Sequence, residues 1–112
     1  MARTPTTTDV FNAIAEASRR NLLNAIGDGE VTVNELVDRL GISQPQVSRH
    51  LNVLRSVDLV LVRNDWRHRW YRVNGPALKP IHDWVQPFAR TWNARLDRLE
   101  DLLNEVQSKE ES

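Results

Sequence analysis

Along this chain, apolar residues recur at helical spacing in four short runs, switch to strand-like runs, and return to helical spacing in one long final run. Val10, Phe11, Ile14 and Ala15 form the first run, entered through Thr8 or Asp9 as N-cap. Leu22, Leu23 and Ile26 form the second, closed by Gly27-Asp28-Gly29. The residues leave open whether the chain breaks between these two runs, near Glu16-Ala17-Ser18, where Ser18 can cap the second helix. Leu36, Val37 and Leu40 form a third helix, started by Thr32 or Asn34 and stopped by Gly41. Val47, Leu51 and Leu54 stripe a fourth, from Ser43 to Val57. Ser43 suits its N-cap, Gln46 completes a capping box, and Pro45 falls in the first turn, where its missing N–H costs nothing.

After Asp58 the pattern changes. Leu59-Val60-Leu61-Val62 is too short for a helix and reads as a strand; Arg69 to Val73 reads as a second, across a turn at Asn64-Asp65-Trp66-Arg67. Gly75-Pro76 then opens a final helix striped by Ile81, Val85, Phe88, Trp92, Leu96, Leu99, Leu103 and Val106. Pro87 cannot donate to Asp83, so a kink is expected there, or two helices end to end. The expected class is mainly α with a small β-hairpin, in the order α-α-α-α-β-β-α. The expected organisation is a mobile tail over residues 1–8, one domain over 9–107 and a second tail over 108–112. The final helix, 76–107, would be about 48 Å long at about 1.5 Å per residue. That outruns the small domain before it. Phe88, Trp92, Leu96 and Leu99 therefore need another surface, most economically a second copy of the chain.

Composition narrows the chemistry. The chain has 112 residues, 40% hydrophobic and 27% charged, with no cysteine. That excludes a disulfide framework, a thiolate nucleophile and a zinc finger. No apolar run approaches a membrane span, and Met1 to Thr8 does not resemble a secretory signal, so a cytoplasmic location is expected. Scattered carboxylates and a Ser48/His50 pair without an orienting acid form no catalytic constellation.

Net charge is zero, but it is unevenly spread: residues 43–75 hold six arginines and two aspartates, and both flanks are net acidic. The fourth helix turns Gln44, Ser48, Arg49, Asn52, Arg55 and Ser56 away from its apolar stripe, with no acid among them. Such side chains suit base edges and phosphates, and two short helices joined by Gly41-Ile42-Ser43 have helix-turn-helix dimensions. A plain solvated helix face is the alternative. The second strand and its turn interleave Arg67, His68, Arg69 and Arg72 with Trp66 and Trp70. That suits phosphate contact, or else an edge hairpin kept soluble by its arginines. Gln46 has two available roles: the amide can close the capping box or reach a base edge, where Gln pairs well with adenine; the base edge is the expected role, because Ser43 alone can cap and the helix start is the end that docks.

Leu36-Val37-Asp38-Arg39-Leu40-Gly41-Ile42-Ser43-Gln44-Pro45-Gln46-Val47-Ser48-Arg49-His50-Leu51-Asn52-Val53-Leu54 closely resembles the helix-turn-helix of ArsR-type winged-helix repressors. Upstream, Ile14 to Leu23 resembles a second signature of that family, with Glu16-Ala17 where Asp-Pro is usual. Downstream, the hairpin and the stretch from Trp84 to Glu100 resemble one subgroup. The resemblance spans roughly residues 9–105. It implies a winged helix-turn-helix homodimer on a pseudo-palindromic operator in double-stranded DNA, acting mostly as a repressor. The DNA-contacting set would be Ser43, Gln44, Gln46, Ser48, Arg49, His50, Asn52 and Arg55 on the reading helix, with Arg67, His68 and Arg69 on the wing. First and last helices would form the dimer, through Val10, Phe11 and Ile14 with Ile81, Val85, Phe88, Trp92, Leu96 and Leu99. Metal-sensing relatives use cysteines before the reading helix or Asp/His ligands on the last helix. Here there is no cysteine and only His82 on the last helix, so no metal and no cofactor are expected. The residues name no inducer. A winged-helix protein-interaction module is the competing class; it would not need arginines on both reading helix and wing.

Overall fold

Asp9 starts the first helix: its carboxylate accepts the Asn12 N–H at 2.9 Å. The resulting α1 (Val10–Ala15) stops at Glu16, whose backbone is extended at φ −86°, ψ 131°, and α2 (Ala17–Ile26) begins at once. Two consecutive guanidiniums, rather than a proline, make this break. Arg19 donates to the Ala13 carbonyl at 2.5 Å and the Asn12 carbonyl at 3.0 Å, and pairs with Glu16 at 3.0 Å. Arg20 donates to the Ile14 and Ala15 carbonyls at 2.6 and 3.1 Å. The unpaired carbonyls at the end of α1 are thus capped from the next helix. Ser18, the cap expected for the second helix, lies inside α2, whose N-cap is Glu16.

This computed structural model describes residues 9–111. The tail expected over residues 1–8 lies outside the described residues, as does Ser112. Gly27, at φ 66°, ends α2, and its N–H donates to the Leu23 carbonyl. Thr32 rather than Asn34 caps α3 (Val33–Leu40), accepting the Glu35 N–H at 3.3 Å. Gly41 closes α3 in the left-handed conformation that glycine adopts without penalty. Arg39 ties α3 to α2 by donating to the Ala25 carbonyl at 2.7 Å. Ser43 then starts α4 (Gln44–Ser56).

The expected turn at Asn64–Arg67 is shorter in the structure. Strands β1 (Val60–Asp65) and β2 (His68–Val73) pair antiparallel from Val60↔Val73 to Asp65↔His68, leaving only Trp66 and Arg67 at the tip. Asn64 and Asp65 join the ladder because Arg69 and His68 stand opposite them. Val31 bridges to Tyr71, with N–H···O distances of 3.0 and 2.8 Å, so the α2–α3 loop extends the hairpin root. Leu22, Leu36, Leu54 and Leu59 are fully buried, and Val31, Val47, Leu51, Val60 and Tyr71 complete the core around them.

The chain divides at Pro80, and residues from Ile81 on form a unit of their own. Gly75–Leu78 is a 3-10 turn with Pro76 at its start, and α5 (Lys79–Glu111) follows. Neither end-to-end helices nor an end at Gln107 is seen: α5 continues through Pro87 and on to Glu111. A lone helix cannot cover its own apolar stripe. Phe88, Trp92, Leu96 and Leu99 are all exposed.

The Arg19 guanidinium holds two carbonyls and a carboxylate from a side chain only 12% exposed. Arg19→Ala is expected to lower unfolding free energy by about 2 kcal/mol, the range for hydrogen bonds to a charged group. In thermal unfolding this appears as a melting point roughly 10 °C lower. Arg19→Lys should not restore it, because an ammonium lacks the planar fork.

Candidate nucleic-acid interface

Helix α4 is held by one face and open on the other. Val47, His50, Leu51 and Leu54 are buried, at spacing i, i+3, i+4, i+7. Gln44, Arg49 and Asn52 are exposed on the remaining surface, with Ser48 and Arg55 half-exposed. Gln44 and Ser48, one turn apart, are joined by a 3.1 Å hydrogen bond from the Gln44 amide to the Ser48 hydroxyl.

Ser43 and Gln46 close the full capping box. The Gln46 N–H donates to Ser43 Oγ at 3.3 Å, and the Ser43 N–H donates to Gln46 Oε1 at 3.1 Å. Ser43 Oγ and Gln46 Oε1 stand 3.2 Å apart. The Gln46 amide oxygen is therefore occupied by the cap. The same side chain lines a cavity of about 130 Å³ with Ser18, Asn21, Leu40, Ile42 and His50, away from the open face of α4.

His50 corrects the sequence-based expectation. The resemblance places it among the DNA-contacting side chains, but it is buried, 8% exposed, on the core side of α4. The signal was present in its position: residue 50 is three past Val47 and four before Leu54, which places it in the apolar stripe. Its Nδ1 has no hydrogen-bond partner among the described residues. Burial pushes its pKa below the usual 6.5; Glu16 opposes this, while Arg19 and Arg49 add to it.

The hairpin brings its basic tip beside α4. Gln44 and Ser48 line a cleft of about 310 Å³ together with Arg67, His68 and Arg69 of the wing, and with Thr32, Val33 and Asn34 at the start of α3. Thr32 and Asn34 join this cleft from the segment that the Val31–Tyr71 bridge ties to the hairpin, a tertiary contact without a local sequence signal. Arg63 is occupied elsewhere, paired with Glu30 at 3.0 Å. At the tip, the Arg67 guanidinium lies 4.6 Å from the centroid of the Trp66 ring. Trp66 is 89% exposed and has φ 27°.

Of the residues expected at a dimer interface, Val10 and Ile14 are partly buried on the core and Phe11 is exposed. Ile81 and Val85 are half-buried; Phe88, Trp92, Leu96 and Leu99 are exposed. On α5, the Gln86 amide Nε2 donates to the His82 ring Nε2 at 2.7 Å, and the ring's Nδ1 lies 3.4 Å from Asp83 Oδ1. Among the described residues no group of three or more His, Cys, Asp or Glu could hold a metal, and no helix is long and apolar enough to cross a membrane.

Comparison with known proteins points the same way as the geometry. The sequence model described as "Bacterial regulatory protein, arsR family" matches residues 17–61. The transcriptional repressor SdpR of Bacillus subtilis is 28% identical over 71% of this chain and 89% of its own length. The arsenic resistance transcriptional regulator ArsR2 of Pseudomonas putida is 35% identical over 70% of this chain and 69% of its own. An ArsR-like transcriptional regulator from Rhodococcus sp. RHA1 superposes with a TM-score of 0.63 at 26% identity, covering 83% of this chain and 88% of that one.

The buried imidazole makes stability pH-dependent. Its folded pKa is depressed, so between that value and 6.5 the unfolded chain binds more protons than the folded one. Stability from this group is full above 6.5 and falls as pH drops through 6.5 toward the folded pKa. Thermal unfolding followed by circular dichroism should show the melting point falling in that window. His50→Gln should flatten this part of the profile relative to the native chain.

Proposed function

The chain belongs to the arsR family of bacterial regulatory proteins, and we propose that it acts as a homodimeric repressor on a pseudo-palindromic operator, without a metal as its release signal. As a family member it is a DNA-binding transcription regulator, not an enzyme. The observation that carries the finer reading is the cleft where Gln44 and Ser48 of α4 stand beside Arg67, His68 and Arg69 of the wing. A helix face of amides, a hydroxyl and guanidiniums suits a major groove, and a basic hairpin beside it suits the adjoining backbone. On this reading Gln44, Ser48, Arg49, Asn52 and Arg55 face the bases and phosphates, and Ser43 and Gln46 hold the helix start.

The dimer reading is supported by α5. Its exposed Phe88, Trp92, Leu96, Leu99, Leu103 and Val106 repeat at helical spacing, the pattern of a face meant for another helix. Two copies would present two reading helices, which is what a two-fold repeated site requires. Metal independence is supported by the ligand inventory: there is no cysteine in the sequence, and the His82 ring is engaged by Gln86.

Selection of bound duplexes from random DNA tests the proposal. It should enrich inverted repeats whose half-sites lie about one helical turn apart, roughly 10 base pairs. Sedimentation equilibrium at micromolar concentration should give a dimer, and Trp92→Asp should give monomer or aggregate without operator binding. A monomeric native chain, or selection that enriches no symmetric sequence, would contradict it.

A further inference from the structure

Trp66 is anomalous twice over. It leaves a large indole 89% exposed, where burial would be favourable. It also holds φ 27° as the first residue of a two-residue hairpin turn, a position that tight hairpins give to glycine. Both features weaken the free protein, and both fall on one residue at the tip of the wing. Its ring contact within the wing is the Arg67 guanidinium, at 4.6 Å. Backbone strain of this kind concentrates where a function needs a side chain held out.

The surroundings select the partner. Arg67 lies over the ring and Arg69 stands two residues on, both exposed. The nearby carboxylate, Asp65, is within 3.9 Å of Arg63. A basic, aromatic and flat tip suits a narrow anionic slot. The minor groove of B-DNA is about 6 Å wide. It narrows further in A·T tracts, where its potential draws guanidinium groups in. Apolar side chains also enter it, wedging between base steps.

We propose that Trp66 is a specificity-determining residue: with Arg67 stacked on it, it enters the minor groove flanking each half-site and favours A·T base pairs there. The indole supplies the apolar contact with the groove wall and holds the guanidinium in line. This rests on the DNA-binding reading above. It adds the base preference and the residue responsible. The strain at φ 27° is then the consequence of placing an indole where the turn favours glycine.

The test uses the full chain and one selected operator carrying A·T, G·C or inosine·C flanks. Inosine lacks the minor-groove amino group of guanine, so its pair resembles A·T in that groove and G·C in the major groove. The native protein should bind A·T and inosine·C flanks alike, and G·C flanks about fivefold or more weakly. Trp66→Ala should lose that preference, together with about fivefold or more of the affinity for the A·T operator, with the log–log salt slope unchanged. Arg67→Ala should lower that slope by about two, since two copies each release about 0.9 counterion. Trp66→Gly should bind like Trp66→Ala yet unfold at the same or a higher temperature, because glycine relieves the turn. Native-like affinity and flank preference in Trp66→Ala would overturn the proposal and leave the DNA-binding function standing. So would a melting point several degrees lower in Trp66→Gly, which would give Trp66 a structural role. No binding of any duplex by the native chain would overturn both.

Discussion

A reading helix must be gripped on one side so that the other can be offered to a partner, and the rest of this structure follows from how α4 is gripped. Val47, His50, Leu51 and Leu54 are buried in a row. Each buried aliphatic side chain is worth roughly 1.5–3 kcal/mol relative to exposure. Turning the helix by one residue, about 100°, would expose most of that row. The core thus sets the helix's rotation, and with it which polar side chains point outward. Gln44, Ser48, Arg49 and Asn52 are outward for that reason and no other.

The wing obeys the same logic from root to tip. Leu59, Val60 and Tyr71 anchor its root in the core, and the Val31 bridge and the Arg63–Glu30 pair hold its flank. Anchoring ends there. Beyond Arg63 and Trp70 the residues are exposed, and the guanidiniums of Arg67 and Arg69 lie over the Trp66 and Tyr71 rings. Root burial fixes where the tip stands relative to α4; tip exposure leaves its charge available. From a basic third between acidic flanks, invisible in a net charge of zero, the fold sets Arg67 and Arg69 beside Gln44 and Ser48 of α4.

Much of this was legible before folding, because local chemistry enforces it. Asp9, Thr32 and Ser43 cap helices, and Gly27 and Gly41 stop them, by rules that need no tertiary contact. What the sequence hid depends on distant partners or on two roles for one residue. The break at Glu16 relies on Arg19 and Arg20 reaching back to the preceding helix, a side-chain cap with no short motif. His50 passed as a polar contact residue because its type suggested a surface, while its position put it in the apolar row. Asn64 and Asp65 looked like turn residues and pair in the ladder because their cross-strand partners are there. The Gln46 amide oxygen belongs to the cap, which only the geometry of the first turn decides.

The central claim is that α4 divides its polar residues between a start that is held and a face that reads. Paired variants test it most directly: Gln46→Ala and Arg49→Ala, each measured for thermal unfolding and for affinity across an operator series with every position varied. Gln46→Ala should lower the melting point by several degrees, since a lost cap costs about 1 kcal/mol, and should leave the pattern of base preference intact. Arg49→Ala should leave the melting point unchanged and weaken discrimination at one symmetric pair of positions by roughly 1–3 kcal/mol. The reverse pattern, with Gln46 setting base preference and Arg49 setting stability, would contradict the account.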